Sequence, residues 1–362
     1  MSLPCIDPAH YTPQLDDKLA RFKGQFADIG VPEPFVASST PLHYRLRAEF
    51  RVWHEGERVD FVMFDPDDAK RRIVIDQFVV ATEIISTTMP RLRARLESDE
   101  PMKRGLFQVD FLATLSGDLL ITLVYHRPLD ERWEAAARML ADDLDVRLVG
   151  RSRKQKIVLD RDWVLEEFEL DGRRLCYQQF EGSFTQPNGG VNRQMLSWAC
   201  KQARGLGGDL LELYCGNGNF TIALAPLFGR VLATEVSKSS VQAAQYNLGA
   251  NAISNVELVR MSSEEISSAL AGLRPYRRLR DIDLGSYAFS TIFVDPPRAG
   301  LDEATLALAR GFRHILYISC NPTTLHENVA ALQDTHAVAA SAAFDQFPYT
   351  NHLECGLLLT QR

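Results

Sequence analysis

From about residue 208 onward, short apolar segments of strand length alternate with segments of helical length. Strands separated by helices favour parallel pairing, because the helix returns the chain to the edge where the next strand starts. The pattern therefore predicts a doubly wound, mostly parallel α/β sheet, in which ligands bind at the carboxyl ends of the strands. The predicted strand cores are residues 210–213, 230–234, 256–260, 291–294, 315–318 and 356–359.

The first half of the chain has a different pattern, in which strands form hairpins. Residues 47–53 alternate between polar and apolar side chains, and a similar run follows a short turn at 54–57. We predict a boundary between the two halves near residues 175–185. The predicted helices of the first half are 14–28, 81–98 and 130–143, and its further strands are 59–64, 106–115, 119–125, 146–150, 156–160 and 173–180.

Two neighbouring predicted strands end in chemically useful side chains. Asp295 precedes two prolines, and Cys320 precedes an Asn-Pro turn. Parallel strands bring their carboxyl ends to one edge, so we expect the acid and the thiol to share a site. The alternatives are a rigid strand exit for Asp295 and inert packing for Cys320. A helix predicted from about residue 323 would favour the Cys320 thiolate.

A glycine loop opens the alternating region. Gly216 and Gly218 follow its first strand, and glycines let the backbone approach a ligand closely. Glu235 ends the next strand, 19 residues after Gly216, where an acid can hold ribose hydroxyls. Thr221 stands where a dinucleotide fingerprint has its third glycine. The loop therefore favours S-adenosylmethionine (SAM) over NAD.

The thiol and the acids together indicate methylation of a pyrimidine at carbon 5. Thiolate addition at carbon 6 of uracil makes an enolate, so that carbon 5 can attack a methyl group. A base must then remove the carbon 5 proton before the enzyme is eliminated. Glu354 and His352 are the candidate bases, and we interpret His352 as a surface residue. Adenine amino methylation is disfavoured, because Arg298 replaces the aromatic residue of an Asp-Pro-Pro-aromatic motif.

Composition limits the compartment and the partners. The hydrophobic and charged fractions, 46% and 24%, are typical of a soluble protein. No apolar run approaches the roughly 20 residues of a membrane span, and the N-terminus does not resemble a signal peptide. Six scattered cysteines without a CxxC pair predict a cytoplasmic protein without a disulfide framework or a metal site.

Nucleic-acid binding depends on local basic patches, so the net charge of −7 does not exclude it. Three of four basic clusters lie in the first half of the chain and favour RNA contacts there, although each is also compatible with ordinary solvated surface. The clusters are Arg45, Arg47 and Arg51; residues 70–72; Arg151, Arg153, Lys154 and Lys156; and Arg274, Arg277, Arg278 and Arg280.

Six stretches of the chain resemble the SAM-dependent RNA uracil-5-methyltransferase family, and most closely its bacterial tRNA-modifying members. The matching stretches span nearly the whole sequence, and their order and content are highly specific. They are HYRLRAEFR from His43, SFTQPN from Ser183, LELYCGNGNF from Leu211, IFVDPPR from Ile292, LYISCNP from Leu316 and FDQFPYTNHLECG from Phe344.

The resemblance implies a role for each of ten residues. Cys320 would be the nucleophile and Glu354 the acceptor of the carbon 5 proton. The substrate would be the T-loop uridine of tRNA, with the T-like loop of tmRNA as a second target. Arg298, Phe107 and Arg51 would contact the RNA, although core packing is an equal alternative for Phe107. The SAM-binding residues would be Gln186, Tyr214, Asn219, Glu235 and Asp295.

The implied fold is α/β, with a Rossmann-like class I SAM-dependent methyltransferase domain and an N-terminal mixed α+β RNA-recognition domain. The expected limits are 1–45 for a helical segment that packs on the catalytic domain, 46–178 for RNA recognition and 179–362 for catalysis. Relatives that methylate ribosomal RNA often carry a TRAM domain and a four-cysteine iron–sulfur site. The first half here has only Cys5 and Cys176, too few for a cluster.

Three alternatives stay open at this point. The first is a methyltransferase for ribosomal RNA uracil, and the second is an RNA-binding or RNA-folding module that needs no reactive cysteine. The third is a dinucleotide-dependent oxidoreductase, which the missing third glycine disfavours. We expect SAM to be the only cofactor, without a metal ion, and we expect neither a membrane nor an obligate protein partner.

Overall fold

A computed structural model describes residues 6–65, 68 and 70–362 of the chain. Cys5 and the first five residues of the predicted N-terminal segment lie outside the described residues. The elements of the first half are α1 (Tyr11–Gln25), β1 (Phe35–Ala37), β2 (Arg47–Glu55), β3 (Arg58–Phe64), β4 (Arg72–Val74), α2 (Glu83–Ser98), α3 (Glu100–Lys103), β5 (Leu106–Ala113), β6 (Leu119–Tyr125), α4 (Glu131–Leu144), β7 (Arg147–Ser152), β8 (Gln155–Val158), β9 (Trp163–Leu170) and β10 (Arg173–Phe180).

The second half alternates strands and helices, as its hydrophobic pattern predicts. Its elements are α5 (Gly189–Ala203), β11 (Asp209–Leu213), α6 (Asn219–Leu224), β12 (Val231–Thr234), α7 (Lys238–Ala250), β13 (Val256–Val259), α8 (Ser263–Leu270), β14 (Phe289–Val294), α9 (Glu303–Ala309), β15 (His314–Ser319), α10 (Pro322–Leu332), β16 (His336–Phe344) and β17 (Glu354–Gln361).

A seven-stranded sheet in the first half has the order β4-β3-β2-β5-β6-β7-β8 among the described residues. Its neighbours pair antiparallel except β6 and β7, which are parallel. Helix α2 buries Ile85, Met89, Leu92 and Leu96 against one face, at the spacing of an amphipathic helix. The other face is covered near β7, where Val164 of β9 lies in a buried cluster with Val149. It is open at β2, where it presents Arg51 and Trp53.

An eight-stranded sheet, with the order β13-β12-β11-β14-β15-β17-β16-β1, carries the second half. Strands β13 to β15 in this order pair in parallel, and β17 runs antiparallel between β15 and β16. Strands β11, β12 and β15 are buried along their whole length, because helices cover both faces of the sheet. The strand order reverses between β11 and β14, which is where ligands bind in such sheets. The α/β prediction is thus confirmed.

The N-terminal residues and a two-stranded ribbon connect to this second sheet. Phe22 and Phe26 near the end of α1 lie in the same apolar cluster as Leu213 and Val294. The ribbon of β9 and β10 places Phe168 and Tyr177 in the cluster on the other face of the sheet. The loop after β10 therefore starts close to the carboxyl ends of the parallel strands.

The sequence pattern did not predict four strands, β1, β4, β9 and β16. Strand β16 is rich in alanine, which favours strands weakly, and it forms through antiparallel pairing with β17. Strand β9 is joined to β10 by Asp171 and Gly172, which both have positive φ. An Asp-Gly pair is a known hairpin signal, so this strand was predictable.

Candidate active site

One cavity of about 840 Å³ lies at the carboxyl ends of the parallel strands. Eight of the ten predicted site residues line it, whereas Phe107 and Arg51 do not. The eight are Gln186, Tyr214, Asn219, Glu235, Asp295, Arg298, Cys320 and Glu354. The cavity volume falls within the range of sites for small organic ligands.

The strand topology explains why three reactive groups meet in this cavity. Asp295 and Cys320 follow the parallel neighbours β14 and β15. Strand β17 runs antiparallel to β15, so its first residue, Glu354, lies at the edge where β15 ends. The pairing of Ser319 with Cys355 fixes this register. Strand β17 thereby adds a second acid to the acid and the thiol that follow the parallel strands.

Burial disfavours charge on all three groups, and neighbouring acids add to this effect for Cys320 and Glu354. The pKa of the Cys320 thiol is raised to about 11, first by burial and then by the carboxyl groups of Glu354 and Asp295, while Arg298 opposes them. Burial also raises the pKa of Glu354 to about 8, with Asp295 acting in the same direction. The pKa of Asp295 is raised by burial to about 7.

The surroundings of Cys320 therefore disfavour the expected thiolate. Cys320 does lie next to the start of α10, where Asn321 is the N-cap residue and accepts a hydrogen bond from the Thr323 amide. A helix N-terminus favours an anion, but burial and two carboxyl groups outweigh this effect here.

The two candidate bases differ in their surroundings. Glu354 is 6% exposed at the start of β17, whereas His352 is exposed at the cavity rim. The His352 ring nitrogen Nδ1 lies 3.3 Å from an Arg298 guanidinium nitrogen. Partial burial and this guanidinium group lower the pKa of His352. Glu354, with its raised pKa, is the better proton acceptor of the two in this environment.

The glycine loop holds the Glu235 carboxylate through the backbone. The Gly216 amide donates to Oε2 over 3.0 Å, and the Ser237 amide donates to Oε1 over 2.7 Å. Gly216 and Gly218 have φ of 57° and 85°, a left-handed conformation that glycine adopts without strain. Each carboxylate oxygen keeps a lone pair free for a further donor. Glu235 is thus prepared to accept hydrogen bonds from two adjacent hydroxyls.

The other predicted cofactor residues are held in place by side-chain contacts. Tyr214 has a φ of 59°, which is uncommon outside glycine, and its hydroxyl donates to Ser263 Oγ over 2.8 Å. The amide groups of Asn219 and Asn192 exchange two hydrogen bonds of 2.9 and 3.0 Å. Gln186 lies on the loop after the β9–β10 ribbon and lines the cavity.

Glu212 is a cavity residue that the sequence interpretation missed. It is 1% exposed as the last residue but one of β11, and neither carboxylate oxygen has a hydrogen-bond partner within the described structure. Burial raises its pKa to about 8, and Thr221 opposes that shift. A signal was present, because an acid inside a fully buried apolar strand is rare without a function or a partner.

Phe107 and Arg51 lie together on the open face of the seven-stranded sheet. The Arg51 guanidinium carbon is 4.0 Å from the centroid of the Phe107 ring. The ring centroid of His126, another residue not predicted from the sequence, is also 4.0 Å from that of Phe107. Phe107 is half-buried rather than part of the core. The three side chains form a cationic and aromatic surface suited to stacking on bases.

Two kinds of feature are absent from the part of the chain that the structure describes. Nowhere in it do three or more His, Cys, Asp or Glu side chains group in a way that could hold a metal ion. Of its helices, none is both long and apolar enough to cross a membrane.

The chain is also similar to known proteins, and they agree with the chemistry that the cavity geometry indicates. Residues 10–362 match the family model described as tRNA (uracil-5-)-methyltransferase. The tRNA/tmRNA (uracil-C(5))-methyltransferase of Aromatoleum aromaticum is 70% identical over 362 residues, which cover 100% of this chain and 98% of that protein. The protein of the same description from Azotobacter vinelandii is 56% identical, and the match covers 100% of both chains.

A solved structure shares the fold over nearly the full length. It is the Pyrococcus abyssi tRNA (uracil-54, C5)-methyltransferase in complex with S-adenosyl-L-homocysteine. The TM-score is 0.73 at 19% sequence identity, and the match covers 97% of this chain and 83% of that chain.

Proposed function

The chain belongs to the tRNA (uracil-5-)-methyltransferase family, and from this membership we propose how its cavity carries out the reaction. The enzyme methylates carbon 5 of the T-loop uridine of tRNA, with SAM as the methyl donor. The uridine of the T-like loop of tmRNA is the second substrate, as the names of the bacterial relatives suggest. The observation that carries this proposal is the convergence of Cys320 and Glu354 with the glycine loop on one cavity.

The residues present in the cavity fit SAM. Glu235, held by two amides, can accept hydrogen bonds from both ribose hydroxyls. Glu212, buried without a partner among the described residues, is suited to a cationic ligand, and SAM carries a sulfonium and an ammonium group. Gln186, Tyr214, Asn219 and Asp295 would complete the site. When bound, SAM supplies an electrophilic methyl group.

Cys320 and Glu354 would perform the chemistry on the base. The Cys320 sulfur forms a bond to carbon 6 of uracil, and the electrons of the 5,6 double bond move into an enolate. Carbon 5 then takes the methyl group. Glu354 removes the proton from carbon 5, the bond between sulfur and carbon 6 breaks, and the double bond is restored. Cys320 is released as a thiolate, and the proton that Glu354 has taken must leave it before the next cycle.

A pH dependence of SAM binding follows from the buried acids. Since Glu212 has a pKa of about 8 and Asp295 of about 7, both are increasingly protonated as the pH falls below these values. A cationic ligand prefers the ionised acids, so SAM affinity should rise between pH 6 and pH 9. The Glu212→Gln variant should bind SAM about tenfold more weakly at pH 9 and show a flatter pH profile. Isothermal titration calorimetry over this range measures both quantities.

The matched control for that prediction is Glu257→Gln, which changes an exposed acid on β13. It should keep the affinity and the pH profile of the unaltered protein. If Glu212→Gln binds SAM with unchanged affinity and slope, the carboxylate does not face the ligand.

RNA recognition would use the open face of the seven-stranded sheet. A T-loop uridine is stacked inside the folded tRNA, so the enzyme must extrude it at a cost of a few kcal/mol. The surface of Arg51, Phe107 and His126 can stack on bases that leave the loop. Arg298 lies exposed at the cavity rim and is the proposed RNA contact beside the target base.

Substitutions on this surface should weaken RNA binding without affecting SAM. We expect Phe107→Ala to lose about tenfold or more in tRNA affinity, because one base stack contributes about 1–3 kcal/mol. Binding should weaken as salt rises, and Arg51→Gln should reduce the slope of log K against log salt by about 1 if Arg51 contacts a phosphate. Filter binding at several salt concentrations measures both effects.

Phe35→Ala is the control for the loss of an aromatic ring. Phe35 is 46% exposed on β1, at the far edge of the other sheet. Its replacement should leave tRNA affinity unchanged. Equal losses in the two variants, or an affinity that does not vary with salt, would contradict an RNA-binding role for the Arg51 and Phe107 surface.

We also propose limits and partners that complete this function. The limits are 1–45 for the N-terminal segment, 46–178 for RNA recognition and 179–362 for catalysis. Thiol addition and proton transfer account for the chemistry, so SAM is proposed as the only cofactor, without a metal ion or iron–sulfur cluster. A cytoplasmic location and the absence of an obligate protein partner complete the proposal.

Labelling of total RNA tests the substrate. The protein is incubated with methyl-labelled SAM and unmodified total RNA, and the labelled species are separated by size. Label in tRNA and tmRNA, recovered as 5-methyluridine, is the expected result. Label in ribosomal RNA alone would assign the chain to the other branch of the family, and absence of label would favour an RNA-binding module.

A further inference from the structure

The loop of residues 345–353 forms one wall of the active-site cavity. It connects β16 to β17, contributes Phe347 and His352 to the cavity lining and leads directly into Glu354. Most of its backbone hydrogen bonds are short-range, such as that from the Thr350 amide to the Phe347 carbonyl oxygen, and the Asp345 amide donates to the Ala37 carbonyl oxygen on β1. Tyr349 has a φ of 62°, which is unfavourable for an aromatic residue and needs support from its surroundings.

Two side chains of the N-terminal helix hold this loop, one of them through a buried ion pair. The Lys18 ammonium nitrogen on α1 lies 2.6 Å from Asp345 Oδ1, and both side chains are at most 1% exposed. The same nitrogen donates to the Phe347 carbonyl oxygen over 2.9 Å. Gln14, one turn earlier, donates to Asp345 Oδ2 over 3.1 Å and accepts from the Tyr349 amide over 3.3 Å. Helix α1 therefore holds the loop at three successive points.

The net stability of such a pair does not explain its presence. The cost of removing two charges from water can exceed their attraction, and apolar residues of the same size are often at least as stabilising. What a buried pair provides is a defined geometry, because each charge must meet its partner. Here that geometry is imposed on a strained loop that ends at the proposed catalytic base.

We propose that Lys18 is a positioning residue, which acts through Asp345 and the Phe347 carbonyl group to set the orientation of Glu354 for removal of the carbon 5 proton. The proposal rests on the proposed function. It assigns a step of the reaction to a residue of the N-terminal segment. Among the described residues, none before Leu46 lines the cavity. The residues proposed to bind SAM lie outside the loop and should be unaffected.

The test is the kinetics of the Lys18→Met variant. We expect SAM affinity and the rate of adduct formation to stay within about threefold of the unaltered protein, while release of methylated RNA slows at least about tenfold. A covalent protein–RNA complex should then accumulate on denaturing gels. Lys23→Met is the control, because Lys23 on the same helix pairs with Glu33 at the exposed surface and does not contact the loop.

A double variant separates positioning from loss of stability. Lys18→Met alone leaves Asp345 buried without its cation, so the variant will also unfold at a lower temperature. Lys18→Met/Asp345→Asn removes that unpaired charge and should recover the melting temperature, yet its release rate should stay slow. If the single variant does not fold, the kinetics are measured on the double variant instead.

The possible outcomes separate this proposal from the proposed function. Release at the normal rate in Lys18→Met, or recovery of release together with the melting temperature in the double variant, would overturn the positioning role. Parallel loss of SAM binding and release would also overturn it, since a general loss of structure is then sufficient. If the unaltered protein itself makes no 5-methyluridine, the proposed function fails instead.

Discussion

Replacement of Cys320 by alanine should abolish methylation while leaving both substrates bound. The side chain is half-buried beside the ends of β14 and β17, so loss of its sulfur changes little of the core. Without a nucleophile at carbon 6, carbon 5 of uracil does not become reactive, and we expect turnover to fall by at least about 10⁴-fold. Affinities for SAM and tRNA should stay within about threefold, since neither ligand depends on the thiol for binding. Methyl incorporation and equilibrium binding measure the two parts separately.

Cys200→Ala is the matched control for that variant. Cys200 is buried in helix α5 and does not line the cavity. Its loss should lower stability slightly and leave turnover in place. Retained turnover in Cys320→Ala would eliminate the nucleophile, whereas inactivity of both variants would indicate damage to the fold.

Because its pKa is raised, the Cys320 thiol must be activated before it can react as a thiolate. With a pKa of about 11, only about one thiol in 10⁴ is ionised at pH 7. The carboxyl groups of Glu354 and Asp295 contribute to this shift, so a proton on either of them, or a cation beside Asp295, favours the thiolate. Binding of a cationic methyl donor next to Asp295 would have this effect. With SAM bound there as proposed, activation of Cys320 would be coupled to occupation of the neighbouring site.

Much of the site could be predicted because ligands bind at the carboxyl ends of the strands in a doubly wound sheet. Asp295 and Cys320 stand out as strand-end residues in the sequence alone, and Glu235 is recognisable by its distance from the glycine loop. The residues alone left Glu354 and His352 as candidate bases for methylation at carbon 5, and the resemblance to a family then selected Glu354 and added Gln186 and the tRNA substrate. The matched family model and the relatives confirm the family and its reaction, whereas the roles of the individual residues stay predictions.

What could not be predicted depends on contacts between distant parts of the chain. Lys18 and Asp345 are 327 residues apart in sequence, and an amphipathic helix with one lysine on its buried side gives no sign of the partner. The ionisation of Cys320 depends on burial and on its distances to two acids. The strand pattern alone does not give those distances. Residue types indicate which chemistry is possible, but the pKa of each group follows from packing.

Replacement of Glu354 by glutamine should stop the reaction after methyl transfer. The amide is close in shape to the acid and keeps β17 in register with β15, so thiol addition and methylation remain possible. It cannot accept the carbon 5 proton, so elimination of Cys320 is blocked and turnover should fall by at least about 10²–10⁴-fold. A stoichiometric methylated protein–RNA adduct should accumulate and survive a denaturing gel.

The exposed neighbour provides the control for the base. His352→Gln removes the other candidate and its contact with Arg298 without altering Glu354. We expect it to turn over at a rate within about tenfold of the unaltered protein and to show no lasting adduct. Accumulation in His352→Gln with normal turnover in Glu354→Gln would reverse the assignment, because the adduct persists only when the group that removes the proton is missing. The adduct thus reports the base directly, which loss of activity alone does not.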